Sequence, residues 1–161
     1  MTVGLPDGVV VRPFEPGDGD HLGGIWWRGF ADGVPGVTPA HDQAEVRDHM
    51  GNVLPTRAEV WVAASVAAPV AFLAVHDHWV EQLYVDPPWI GRGVGRALMA
   101  VAKRLRPDGL QLWTFQVNAR ARRFYGGCGF AEVEWTDGSG NEERAPDVRL
   151  VWLGVGRPGD A

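Results

Sequence analysis

Gly91, Gly93 and Gly95 alternate with Arg92, Val94 and Arg96. Residues without a β-carbon let main-chain N–H groups approach an anion closely, and a helix starting just beyond them would add the positive end of its dipole. This is the chemistry of a phosphate cradle. It is not a dinucleotide fingerprint, because Arg96 stands five residues after Gly91, and Leu98 five after Gly93, where glycine is required. Nor is it a Walker loop, since no Gly-Lys-Ser/Thr follows at the right spacing. Residues 92–123 carry eight basic side chains against the single acid Asp108, a local balance of +7 within a chain that is −12 elsewhere. Such asymmetry suits a ligand with several phosphates at one end of the molecule and a cationic second ligand near the other. Arg92 and Arg96, which flank the glycines, are the basic residues expected to meet the phosphates; Lys103, Arg104 and Arg106 read as solvated helix faces.

Other reactive side chains are few. His76 and His78 alternate onto one face of an extended segment and could serve as a base near neutral pH or ligate a metal. No second cluster of cysteines or histidines supports a metal, so none is expected, and the pair reads equally as a surface turn. Cys128 is the only cysteine. It excludes an intrachain disulfide framework and multi-cysteine metal sites, reads as packing, and points to a cytoplasmic location. The 161 residues carry a formal charge of −5 and are 45% hydrophobic. That composition suits one domain with a proper core and argues against a surface built for nucleic acid. With no leader-like N-terminus and no long uncharged apolar window, no membrane association is expected.

The elements that must position these residues alternate in type. Val9–Val11 predicts a first strand, Asp18 or Asp20 a helix cap followed by Leu22, Ile25, Trp26 and Phe30 at helical spacing, and Thr38-Pro39 the start of a second, weaker helix bearing Val46 and Met50. Residues 59–64, 70–76 and 80–85 are strand-like runs with connections too short for parallel crossovers, hence an antiparallel meander. Val94, Ala97, Leu98, Val101 and Leu105 mark an amphipathic helix stopped by Pro107-Asp108-Gly109. Leu110–Gln116 reads as a strand, Asn118 as the cap of a helix ended by Gly126-Gly127, and 130–135 and 148–153 as the last strands. The order β α α β β β α β α β β is a mixed α/β (α+β) chain, one domain over 1–161.

Three blocks in this order resemble the GCN5-related N-acetyltransferase (GNAT) family. Leu83-Tyr84-Val85-Asp86-Pro87 is similar to the family's fourth strand and its exit, and Arg92-Gly93-Val94-Gly95-Arg96-Ala97-Leu98 to its pyrophosphate loop. Asn118 to Tyr125 followed by Gly129-Phe130 resembles its later helix and strand entry. Ile90 departs from the Gln or Arg usual at the loop's opening, but the main-chain N–H groups that hold phosphate remain. The resemblance implies a mostly antiparallel central sheet flanked by about four helices, and acetyl-CoA as co-substrate. It places the amides of Gly91, Arg92, Gly93, Val94, Gly95 and Arg96 on the pyrophosphate. The backbone of Leu83, Tyr84 and Val85 would pair with the pantetheine arm as with an extra strand.

Acetyl transfer from a thioester to an amine needs a neutral amine and a proton for the departing thiolate. The resemblance assigns that proton to Tyr125 and a hydrogen bond on the coenzyme arm to Asn118; without it, they read as a core aromatic and a helix cap. An alkylamine with pKa of about 10.4 is mostly protonated at neutral pH, so a carboxylate base would raise the reactive fraction. Glu81, just before the strand segment expected to flank the acetyl group, is the leading base, or binds a cationic acceptor. Trp113 occupies the position where some relatives carry the base and cannot take a proton, which leaves Glu81, a histidine, a water chain or bulk solvent. The acceptor is expected to be a small-molecule primary amine attacking directly in a ternary complex. Trp26, Trp27, Phe30, Trp61, Trp79 and Trp89 are candidates to line its pocket or to pack in the core, and Asn141–Arg144 to border the cleft. A peptide or protein acceptor and an acyl-CoA-binding sensor without turnover are the alternatives, and family analogy allows a homodimer.

Overall fold

The computed structural model describes residues 4–155. Seven strands, β1 (Val10–Pro13), β2 (Glu59–Ala64), β3 (Pro69–His76), β4 (Trp79–Val85), β5 (Leu110–Phe115), β6 (Ala131–Thr136) and β7 (Asp147–Trp152), form one sheet of order β1-β2-β3-β4-β5-β7-β6. Every neighbouring pair is antiparallel except β4 and β5, which are parallel.

Strand β3 explains why the sheet is covered on both faces. Its β-branched and aromatic run alternates into two clusters: Ala71, Leu73 and Val75 join one, Phe72 and Ala74 the other. The first is sealed by α4 (Val94–Leu105) and α5 (Ala119–Gly127), with Leu98, Met99, Leu112 and Leu150 inside it. The second is sealed by α1 (Gly19–Gly33), whose Leu22, Ile25, Trp26 and Phe30 recur at helical spacing, and by the run carrying Val46 and Met50. Each large side chain buried this way contributes about 1.5–3 kcal/mol.

Two helix starts differ from the sequence expectation. Asp18 stands at the N-cap of α1, but its carboxylate does not cap. It takes a bidentate pair from Arg12 at 2.8 and 2.9 Å and the Glu15 N–H at 2.8 Å. Burial opposes the Asp18 charge, yet the Arg12 and Glu15 donors outweigh it and hold the carboxyl below its ordinary range. The second helix starts not at Thr38-Pro39 but at α2 (Gln43–Asp48), because Asp42 accepts from the Glu45 N–H at 2.8 Å and so satisfies the first turn. It continues through a π-turn (His49–Val53) into α3 (Leu54–Arg57). The sheet is thus flanked by four helical bodies, as expected.

Candidate functional site

Strands β4 and β5 are neighbours at one level only. Trp79 is the partner of Gln111, and the Gln111 N–H donates to the His78 carbonyl at 2.8 Å. Beyond that point they diverge. Leu83, Tyr84 and Val85 pair with Leu73, Phe72 and Ala71 of β3, and among the described residues their other edge has no strand partner. A cleft of about 470 Å³ occupies the divergence.

Glu81 sits at its inner end for a topological reason. Val75 faces Val80 while Ala74 faces Gln82, so Glu81 is the extra residue of a β-bulge, exposed and lining the cleft. A bulge breaks the pleat and re-aims a side chain, which is why bulges concentrate near reactive sites. No reading of the sequence alone could locate it, since it depends on how β4 pairs with β3.

At the outer end, a short 3-10 turn (Pro87–Trp89) leads into the glycines. Gly91 and Gly93 have φ of 82° and 86°, the left-handed region that favours glycine, and Gly93 is the N-cap of α4. The first helical bond among these residues is Ala97 N–H to the Gly93 carbonyl, so the amides of Val94, Gly95 and Arg96 have no partner within the helix. Gly91, Gly93, Gly95 and Arg96 line the cleft. Val94 is instead buried in the core, and Arg92 turns back over the Trp89 ring, 4.7 Å from its centroid. This loop and the open β4 edge fit a ligand that pairs a diphosphate with an extended, amide-bearing arm.

The far wall comes from α5. Asn118 caps it by accepting from the Ala121 N–H at 3.1 Å, and the carboxamide nitrogen lies against Gly33 of α1. Tyr125 lines the cleft, packed edge-on to Phe124 with ring centroids 5.4 Å apart. Burial, with a smaller contribution from Cys128, pushes the Tyr125 phenol above its ordinary pKa. Tyr84 is shifted the same way by burial, then by Tyr125 and Glu143. Both therefore hold their protons through the neutral range.

Half of the basic block resolves into structural pairs. Arg120 meets Asp32 at 2.5 Å, Arg122 meets Glu132 at 2.6 Å, Arg106 meets Glu59 at 3.0 Å, and Lys103 donates to the Cys128 carbonyl. Arg92, Arg96, Arg104 and Arg123 make no ion pair among the described residues, and the first two of these flank the loop.

Several expected candidates lie elsewhere. His76 ends β3 and His78 occupies the turn to β4, at the closed end and outside the cleft. Trp26 and Phe30 stack in the core with centroids 4.8 Å apart, and Trp27 and Trp61 pack beside it; of the aromatics named for the acceptor, Trp89 lines the cleft. In the β6–β7 loop, Glu142 reaches His41 at 2.8 Å, and the charge of Glu143 adds to the upward shift of Tyr84. The sequence reading missed Gly29 and Asp32 of α1, which also line the cleft; the four-residue spacing of Gly29 and Gly33 was the available signal. Among the described residues no helix is long and apolar enough to cross a membrane, and no group of three or more His, Cys, Asp or Glu could hold a metal.

The family model "Acetyltransferase (GNAT) domain" matches residues 56–132, which run from the end of α3 into β6. A peptidyl-lysine N-acetyltransferase of Escherichia coli (strain K12), YjaB, is 30% identical over 148 residues, 91% of this chain and 99% of its own. The solution structure of apo YjaB superposes with a TM-score of 0.75 at 26% identity, covering 91% of this chain and 99% of that one. An N-acetyltransferase of Thermoplasma acidophilum in complex with coenzyme A shares the fold at a TM-score of 0.68 and 16% identity, covering 90% and 98%. By that extent of likeness to YjaB, the chain belongs to the GCN5-related N-acetyltransferase (GNAT) family and is an N-acetyltransferase.

Proposed function

We propose that the protein transfers the acetyl group of acetyl-CoA to a primary alkylamine by direct attack of the amine in a ternary complex. One observation carries this reading: β4 and β5 part after a single register pair, beside a glycine loop at the start of a helix. The free edge of Leu83–Val85 offers main-chain groups to the pantetheine arm, and the loop offers amides to the diphosphate. Acetyl-CoA supplies an activated thioester. Glu81, directly or through a water, takes the proton that the ammonium gives up and passes it to solvent. The amine then forms its bond to the acetyl carbon as the bond to sulfur breaks; the Tyr125 hydroxyl gives the departing sulfur a proton, and the second proton shed by the acylated nitrogen leaves to solvent, from which Tyr125 regains one. Asn118 orients the arm.

The charge asymmetry supports a small cationic amine. A lysine side chain presents the same alkylamine, and the name of the Escherichia coli relative favours it as a second reading. The test is thiol release from acetyl-CoA against amines, amino acids, polyamines, aminoglycosides and lysine peptides. Release with one acceptor class is expected, with a raised KM for acetyl-CoA when Gly93 is replaced by valine. Coenzyme binding without release for any acceptor would favour the sensor and overturn the enzymatic roles.

A further inference from the structure

We propose that Trp113 is a specificity-determining residue that holds the acceptor as an alkylammonium, its indole face and the Glu81 carboxylate gripping the cation from the two sides of the split. The inference rests on the reading above of the cleft as the acetyl-transfer site. Trp113 and Glu81 each lie two residues beyond the closing pair of Gln111 and Trp79, on opposite strands of the divergence, and both line the cleft. Leu112 and Leu150 on the adjacent face are buried, so the alternation of β5 turns Trp113 the other way, where 40% of it is exposed.

Two fifths of this mid-strand indole is left uncovered. It has no aromatic partner among the described residues. The cation opposite it in register on β7 is Arg149, which is committed to Glu134 at 2.9 Å and Gln111 at 3.1 Å, and no cation stacks on the Trp113 ring among the described residues. The ring face is therefore available to a cation that enters from solvent, and a tryptophan face attracts a desolvated ammonium better than any other side-chain ring. This gives the position that cannot supply a base a binding role: the indole attracts the charged amine, and Glu81 holds it and then takes its proton. Acceptors in this class carry an alkylammonium; neutral aromatic amines and amides fall outside it.

The experiment is calorimetric titration of the CoA-loaded protein with Nα-acetyl-Nε-trimethyl-lysine amide, which cannot be acetylated, and with its neutral counterpart Nα-acetyl-norleucine amide. The cation is expected to bind about tenfold more tightly. Trp113→Leu should cut that preference several-fold, leaving only what Glu81 supplies, Trp113→Phe should retain more of it, and the Kd for CoA should stay unchanged in both variants. Equal or absent binding of the two probes, or a preference undiminished in Trp113→Leu, would overturn the inference alone. Failure of the wild-type protein to bind CoA would overturn the underlying reading and the inference with it.

Discussion

A β-carbon on Gly29 would lie 2.9 Å from Cδ1 of Tyr84, so α1 meets β4 at a point where only a hydrogen fits. Tyr84 in turn lines the cleft. The floor of the candidate site is thus set partly by a helix outside the three sequence blocks.

Gly29→Ala should test this contact. Alanine favours a helix interior by about 0.5–1 kcal/mol, whereas overpacking costs about 1–3 kcal/mol, so net destabilisation of about 1 kcal/mol is expected. Displacement of the Tyr84 ring should also raise the KM for acetyl-CoA several-fold. Gly24→Ala is the matched control, because its β-carbon first meets the exposed end of the Arg28 side chain, at 2.9 Å, which can shift together with its Asp86 pairing, and not a ring wedged against β4. It should raise thermal stability and leave KM alone. Equal behaviour of the two variants would contradict the close approach.

Tyr125→Phe should lower kcat by about 100-fold and leave the Kd for acetyl-CoA within about twofold. Because burial raises the phenol pKa above its ordinary value of about 10, Tyr125 keeps its proton up to that pH. The wild-type rate should therefore show no decline between about pH 8 and 10 from loss of this proton, and the deficit of the variant should be constant across that range. A variant with full turnover at any pH would remove the proton-donor role.

His41 ties the segment before α2 to the β6–β7 loop. Its Nδ1 meets Glu45 and its Nε2 meets Glu142, each at 2.8 Å. Hydrogen bonds that its ring N–H groups donate to Glu45 and then to Glu142 raise its pKa. A raised folded-state pKa makes the tie fully present below the unfolded value of about 6.5 and lost as pH rises through the folded value. Amide exchange over residues 137–146, corrected for intrinsic rates, should accelerate from pH 6 to pH 9. His41→Ala should exchange at the faster rate at both; no dependence on His41 would refute the tie.

The sequence was most legible where periodicity and turn chemistry acted locally. Leu98, Val101 and Ala97 outlined α4, Pro107-Asp108-Gly109 stopped it, and the short connections dictated the meander. Local rules also misled. Thr38-Pro39 has the composition of a helix start, but Asp42 supplies the bond that starts α2, and the Asp18 carboxylate goes to Arg12 rather than to the helix it precedes. The site was legible through its glycines and Asn118, which act through main chain and caps. Glu81 lies near the reacting group in the sequence, yet its bulge depends on the pairing of β4 with β3, and the same cleft takes Gly29 from α1, 52 residues earlier. Contacts so distant in sequence leave no periodic trace. The histidines looked reactive by type, and only the register of β3 with β4 puts them at the closed end.

In the proposed complex acetyl-CoA lies between β4 and β5 with its diphosphate on the glycine loop. Residue-resolved amide exchange with and without acetyl-CoA tests it directly. Slowed exchange is expected at amides within Leu83–Val85 and Gly91–Arg96, with little change at the paired amides of β2 and β6. Binding of acetyl-CoA with unchanged exchange in both segments, or with protection concentrated elsewhere, would contradict it.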